Sequence, residues 1–313
     1  MRDLGFQTLF TQTFAAMLNE DKETLLYQIF LDVDDFIKAL DTFERKHRLA
    51  AGSVRPGPKR SMFESEVLSI LIFYHYSGYK CFQYYYKSLI LTDLCSFFPN
   101  AVSYTRFVAS IGEVAKHLYL FAQLRCAMSG RGGIYFADSK KLPVCDNRRI
   151  PSNKVFKDVA GRGKSSTGWF YGLKAHLLVN NLGQILQFLI TPANFTDNNK
   201  SVLDQLLAGI QGKCFADKGY LTKFFEHFLQ KGVQIITKIR KNMKNSLIQL
   251  SDKLWLRKRA VIESINDILM SVLDIDHTRH RSPWNAIVHA IAGITAYSYY
   301  PQKPAVYIKI ELP

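Results

Sequence analysis

A chain of 313 residues with 48% hydrophobic and 13% aromatic content carries enough apolar material for a large core, which excludes an intrinsically disordered protein. Its net charge of +15 is uneven: residues 1–129 hold 14 Lys and Arg against 13 Asp and Glu, whereas residues 130–313 hold 27 against 13. Such a field attracts polyanions, of which nucleic acid is the commonest large one, although a basic surface can also serve solubility alone.

The first predicted element is a helix over 24–48, with Leu25, Leu26, Ile29, Phe30, Val33, Phe36, Ile37 and Leu40 at helical spacing and Arg45-Lys46-His47-Arg48 at its end. Ala51 to Arg60, with Gly52, Pro56, Gly57 and Pro58, reads as a linker. Ser61 and Glu64 predict a capping box for a helix through Leu68, Leu71, Ile72 and Tyr76 to Ser77-Gly78. A helix over Phe82 to Leu89 follows. Ser103 then opens a long one with Phe107, Ile111, Val114, Leu118 and Phe121 on one face. Residues 1–128 are therefore expected to be all-helical. Short turns between helices allow a helix-turn-helix DNA reader, with Ser103, Tyr104, Thr105 and Arg106 at the DNA; ordinary helical packing gives the same pattern.

The pattern changes at Ser129-Gly130-Arg131-Gly132-Gly133, the expected boundary of a second domain over 129–300, with 301–313 as a packing tail. A strand runs to Asp138. Arg148 to Lys164 reads as a basic loop without P-loop spacing, either tracking a phosphate backbone or merely solvated. Trp169 to Val179 and Gln184 to Thr191 predict a hairpin joined by Asn180-Asn181-Leu182-Gly183, with Lys174 and His176 on the face opposite Leu173, Ala175 and Leu177. After a turn ending at Asp197 come a helix over 198–210, a strand to Asp217, a helix over 222–230, a strand over 233–239 and a basic turn, Arg240 to Lys244. A long helix over 254–273 buries Ile262, Ile265, Leu269 and Val272. It carries Glu263 on another face, beside Arg259, Asn266 and Asp267. His280-Arg281-Ser282-Pro283 breaks the chain before an apolar helix over 284–297.

Cys81, Cys95, Cys126, Cys145 and Cys214 form no C-x-x-C pair, which argues against a zinc knuckle; with no signal pattern at Met1-Arg2-Asp3-Leu4, they fit the reduced thiols of a cytoplasmic protein. No uncharged apolar run reaches the roughly 18 residues of a membrane span.

Within the basic part, Tyr135-Phe136-Ala137-Asp138-Ser139-Lys140 and Cys214-Phe215-Ala216-Asp217-Lys218 follow one plan. A single such Asp reads equally well as a turn former; two of them suggest paired metal ligands. The element order is that of a ribonuclease-H-like fold: an α/β domain with a mixed five-stranded sheet flanked by helices. There the first and fourth strands are neighbours, so Asp138 and Asp217 would meet, and a following helix would bring Glu263. Three carboxylates form a hard oxygen site for two Mg²⁺ or Mn²⁺ ions, which offset their mutual repulsion and suit phosphodiester chemistry. The bland reading of Glu263 is a surface residue paired with Arg259. Asp197 and Asp267 are alternative acids.

Five segments in order, Tyr135 to Ser139, Tyr171-Gly172-Leu173-Lys174-Ala175-His176, Ala216 to Tyr220, Arg259-Ala260-Val261-Ile262-Glu263 and Arg279-His280-Arg281-Ser282, resemble the DDE-type bacterial insertion-sequence transposases, most closely the family built on the insertion sequence numbered 982. The resemblance implies that Asp138, Asp217 and Glu263 bind the metals. It aligns Arg259 with the Arg of the related families' Tyr-Arg-Glu-Lys signature, but Leu256 and Met270 stand where its Tyr and Lys are expected. Lys140, Lys174, His176 and Arg106 are further candidate DNA contacts. Implied with the family are double-stranded DNA partners (terminal inverted repeats and target), a homodimer on DNA, and end cleavage followed by strand transfer. A nuclease of the same fold that does not join ends, or a silent DNA-binding protein, would be the alternatives.

Overall fold

A computed structural model describes residues 4–50, 61–165, 168–221, 223–238, 249–276 and 280–308. The linker Ala51 to Arg60, the basic turn Arg240 to Lys244, Arg279 and the end of the tail lie outside the described residues. The chain divides into two compact units, Met1–Phe121 and Ala122–Pro313.

The first unit is helical. Helix α1 spans Leu4–Ala50 and α2 spans Glu64–Ser77. Helix α3, Phe82–Tyr85, runs on as a π-wound stretch, Tyr86–Asp93, and α4 spans Tyr104–Ala127. Leu26, Ile29 and Val33 of α1 are buried, and α2 is buried along most of its length, from Ser65 to His75. The N-cap of α2 is Phe63, two residues later than the Ser61 expectation; the Phe63 N–H donates to the Glu66 carboxylate at 2.7 Å. Glu66 is the acid that meets the first turn from inside the core, and its burial raises its pKa. Gly78 ends α2 with φ 80°, a left-handed C-terminal cap open to glycine. Tyr74, Phe82, Tyr85, Tyr86 and Phe107 form an aromatic cluster, in which the Tyr85 hydroxyl donates to the Ile70 carbonyl and the Tyr86 hydroxyl to that of Val102. Ser103 precedes α4 as expected, and Arg106 is exposed in its first turn.

The second unit is built on a mixed sheet. Its strands are β1 (Ile134–Cys145), β2 (Gly161–Ser165), β3 (Gly168–Asn180), β4 (Ile185–Pro192), β5 (Gly212–Ala216) and β6 (Val233–Thr237). The order is β2-β3-β1-β5-β6. Strand β4 also pairs with β3, over Leu173–Val179, so β2 and β4 follow one another along the same edge of β3. Strands β1 and β3 are antiparallel, whereas β1, β5 and β6 run parallel. Helices α5 (Lys200–Leu206) and α6 (Phe225–Gln230) supply Leu203, Leu206 and Phe228 to a core with Tyr135, Ala137, Leu178, Cys214 and Ala216. On the opposite face Phe136 and Phe215 meet Trp255 of α7 (Leu250–Lys258), ring centroids 6.2 and 6.4 Å away. Helix α8 (Ala260–Asp267) follows, ending in a π-wound stretch, Ile268–Val272; α9 (Pro283–Tyr297) is capped by Ser282.

Three expectations are corrected. Among the described residues the sheet has six strands, because β2 forms within the stretch read as a basic loop. Gly161 and Gly163 leave no room for a side chain there: a Cβ on either would run into Asn194 or Ala193. Strand β1 does not end at Asp138 but continues to Cys145, paired with β3. What ends beside Asp138 is its other neighbour, β5, and with it the need for apolar side chains on both sides. The long helix read over 254–273 begins at Leu250, and α7 and α8 are interrupted at Arg259.

Candidate metal centre

Parallel pairing places Ala137 beside Ala216, so the next residues, Asp138 within β1 and Asp217 just past the end of β5, follow at the same level. Both alanines belong to the α5–α6 core. Alternation therefore turns the Asp138 side chain to the face of Phe136 and α7–α8. There Asn266 of α8, itself fully buried, donates from Nδ2 to Asp138 Oδ2 at 2.8 Å. Burial pushes the Asp138 carboxyl up to about 6, against the opposing pull of the Arg259 guanidinium, the Ser139 backbone and Lys140; the charge of Asp197 pushes the same way as burial. Asp217, by contrast, is exposed. It caps the single turn Lys218–Tyr220, its carbonyl accepting from the Tyr220 N–H at 3.0 Å.

Glu263 is not brought onto this pair. Its side chain is 54% exposed, and its Oε1 accepts from Arg259 Nη2 at 2.7 Å across one turn. The residue that α8 does deliver is Asn266, three positions on. Its sequence signal was a single amide beside the apolar face of Ile262, Ile265 and Leu269. Among the described residues no three His, Cys, Asp or Glu side chains cluster closely enough to hold a metal.

Asp197 lies beside the β1 residue that follows Asp138. Its Oδ1 accepts from Ser139 Oγ at 2.8 Å and Lys174 Nζ at 3.2 Å, and His176 Nδ1 lies 3.7 Å away. Lys174 also donates to the Phe195 carbonyl, and His176 Nε2 is 3.0 Å from Thr191 Oγ1. Burial pushes His176 down to about 4, so at neutral pH it is uncharged. Lys174 and His176, both expected at DNA, thus sit inside a polar cluster, 9% and 0% exposed. Arg259 is largely buried against Glu263, Lys140 is half-buried and Asp267 is exposed.

Asp138 and Asp217 are hard oxygen donors at adjacent positions, and desolvation of the partly buried Asp138 outweighs the pull of the cations near it. Both features fit Mg²⁺ or Mn²⁺. The third carboxylate is engaged elsewhere.

Among the described residues no helix is long and apolar enough to cross a membrane. Neither the curated proteins nor the solved structures contain a match to this chain. Residues 128–283, which contain β1 to β6, both aspartates and Glu263, match the family model described as "Transposase DDE domain". That match supports a DDE-type transposase, an enzyme of the transposase or nuclease kind.

Proposed function

We propose that the protein is a DNA transposase of the insertion sequence 982 type, with a ribonuclease-H-like catalytic domain and Asp138, Asp217 and Glu263 as its metal-binding acids. The observation that carries the reading is the adjacency of Asp138 and Asp217 where β5 stops and β1 continues. With β2 set aside as an addition on the edge of β3 that β4 also occupies, the order β4-β3-β1-β5-β6, in which β3 is antiparallel to its neighbours and β1, β5 and β6 run parallel, supports the proposed fold.

Two Mg²⁺ or Mn²⁺ ions would supply an activated water or 3′-hydroxyl and charge neutralisation at the leaving oxygen. The chain's own part is to hold oxygen donors ready. Asn266 fixes one oxygen of Asp138, and that carboxyl is partly withdrawn from solvent. Glu263 joins the pair when its bond to Arg259 opens, which frees the guanidinium for a phosphate. Exposed Lys and Arg of the second unit hold the DNA that the acids alone would repel. The substrates are element ends with terminal inverted repeats and target DNA. Two ends call for two sites, hence a homodimer on DNA, in the cytoplasm. Arg106, exposed at the start of α4, is a candidate contact of the helical unit with the repeats.

Purified protein incubated with labelled element ends and Mg²⁺ tests the reading. Cleavage followed by joining of 3′ ends is expected, and Asp138→Asn and Asp217→Asn each abolish both. Cutting without joining would favour a nuclease of the same fold. DNA binding without cutting would favour a silent binding protein. Activity surviving in both variants would remove the acids from the centre.

A further inference from the structure

Trp169, the second residue of β3, is 54% exposed, so a large apolar ring faces solvent. Its surroundings are ordered. Lys164 of β2 lies directly across the antiparallel pair from Trp169, and Arg162 lies across from Tyr171 on the same face. The Arg162 guanidinium carbon is 5.5 Å and the Lys164 ammonium 5.8 Å from the indole centroid, both within reach of a cation–π attraction. Asn147 Nδ2 donates to the Trp169 carbonyl at 2.7 Å, and the buried Tyr171 donates its hydroxyl to the Phe156 carbonyl at 3.2 Å. The platform is therefore held through the Trp169 backbone and through Tyr171 beside it on the same face, while the indole ring stands out. Between Asp146 and Trp169 the chain also exposes Arg148, Arg149, Lys154 and Lys157, against only two acids, Asp146 and Asp158.

We infer that this platform is a binding site for single-stranded DNA, with one unpaired base stacked on Trp169 and the flanking phosphates on Arg162 and Lys164. A flat exposed ring fits a base face, which a stacked duplex does not offer; paired cations beside it fit the phosphates on either side. An acidic peptide would satisfy the charge and leave the indole exposed. The site is separate from the acid pair. Asp138 pairs with Leu177, eight residues along β3 from Trp169, roughly 26 Å at strand rise. That length corresponds to about eight base steps of DNA. The inference deepens the transposase reading and rests on it for the identity of the polymer: an element end would be gripped here through a frayed or overhanging strand.

The test uses the full-length protein, a blunt DNA duplex, and the same duplex with a short oligothymidylate overhang. Wild type binds the overhang duplex more tightly. Trp169→Ala removes that preference, a loss of roughly tenfold, the size of one base–aromatic stack, and leaves blunt-duplex affinity unchanged. Trp169→Phe restores most of it. The exposed double variant Arg162→Gln with Lys164→Gln lowers the preference independently, should Trp169→Ala fold poorly. Overhang binding also quenches the part of the tryptophan fluorescence that Trp169→Phe removes. Equal affinity for the two duplexes in wild type, or a preference that persists in Trp169→Ala and the double variant, overturns the inference. Overhang preference without Mg²⁺-dependent cutting would instead sink the transposase reading and leave this site standing.

Discussion

Asp138 shows how one residue carries both the proposed chemistry and a stability cost. In the unfolded chain its carboxyl titrates near the ordinary 3.8, and in the fold at about 6. Between those values the folded state holds the extra proton, so stability falls as pH rises through that window and the deficit is complete above it. Asp138→Asn removes the deficit and still offers an amide oxygen to Asn266. The metal-free variant is expected to be more stable than wild type at pH 8, and the gain should be about 2 kcal/mol smaller at pH 4.5. Urea unfolding at the two pH values measures this; an equal effect at both would show that the carboxyl is not desolvated. Mg²⁺ should narrow the gap at pH 8 by stabilising wild type alone. The sequence could point to Asp138 and Asp217 because the same Phe-Ala-Asp plan occurs twice. It could not point to Asn266, since an amide on a helix carries no charge pattern, and its value lies in a contact 128 positions away.

The elements read most easily were those in which local pattern and burial agree: α2, α4, the β3–β4 hairpin and α9. Strand β2 escaped because its sequence, Gly161-Arg162-Gly163-Lys164-Ser165, alternates glycine with exposed cations and has no apolar face. The glycines are required by packing, since the Ala193–Asn194 turn lies where their side chains would stand. Gly163→Ala is therefore expected to cost about 1–3 kcal/mol, because a Cβ there meets the Ala193 carbonyl, a backbone atom that cannot swing aside. Denaturant unfolding reads the loss. An unchanged midpoint would mean that β2 can lift from the turn at no cost. The placement of Lys174 and His176 was missed for a related reason. Alternation correctly set them on the face opposite Leu173, but only the turn bringing Asp197 over that face makes it an interior.

At the scale of the whole molecule the uneven charge was legible from counting alone, and the structure adds where part of it is displayed. Residues 130–313 carry the excess of 27 Lys and Arg over 13 Asp and Glu. Some of these cations are spoken for: Lys174 serves Asp197, Lys213 pairs with Asp252 at 2.7 Å, and Lys200 and Lys231 both pair with Asp204. Arg148, Arg149, Lys154 and Lys157 are exposed on the segment between β1 and β2. If these meet DNA phosphates, each contact releases counterions, and affinity falls with salt in proportion to their number. Replacing Lys154 and Lys157 with Gln is thus expected to reduce the slope of log K against log salt by about 2, to weaken binding evenly across sequences, and to leave folding stability within about 0.5 kcal/mol. Fluorescence anisotropy over a salt series measures the slope. An unaltered slope would move the phosphate track off this segment, and the basic character of the second unit would then have to act through other cations.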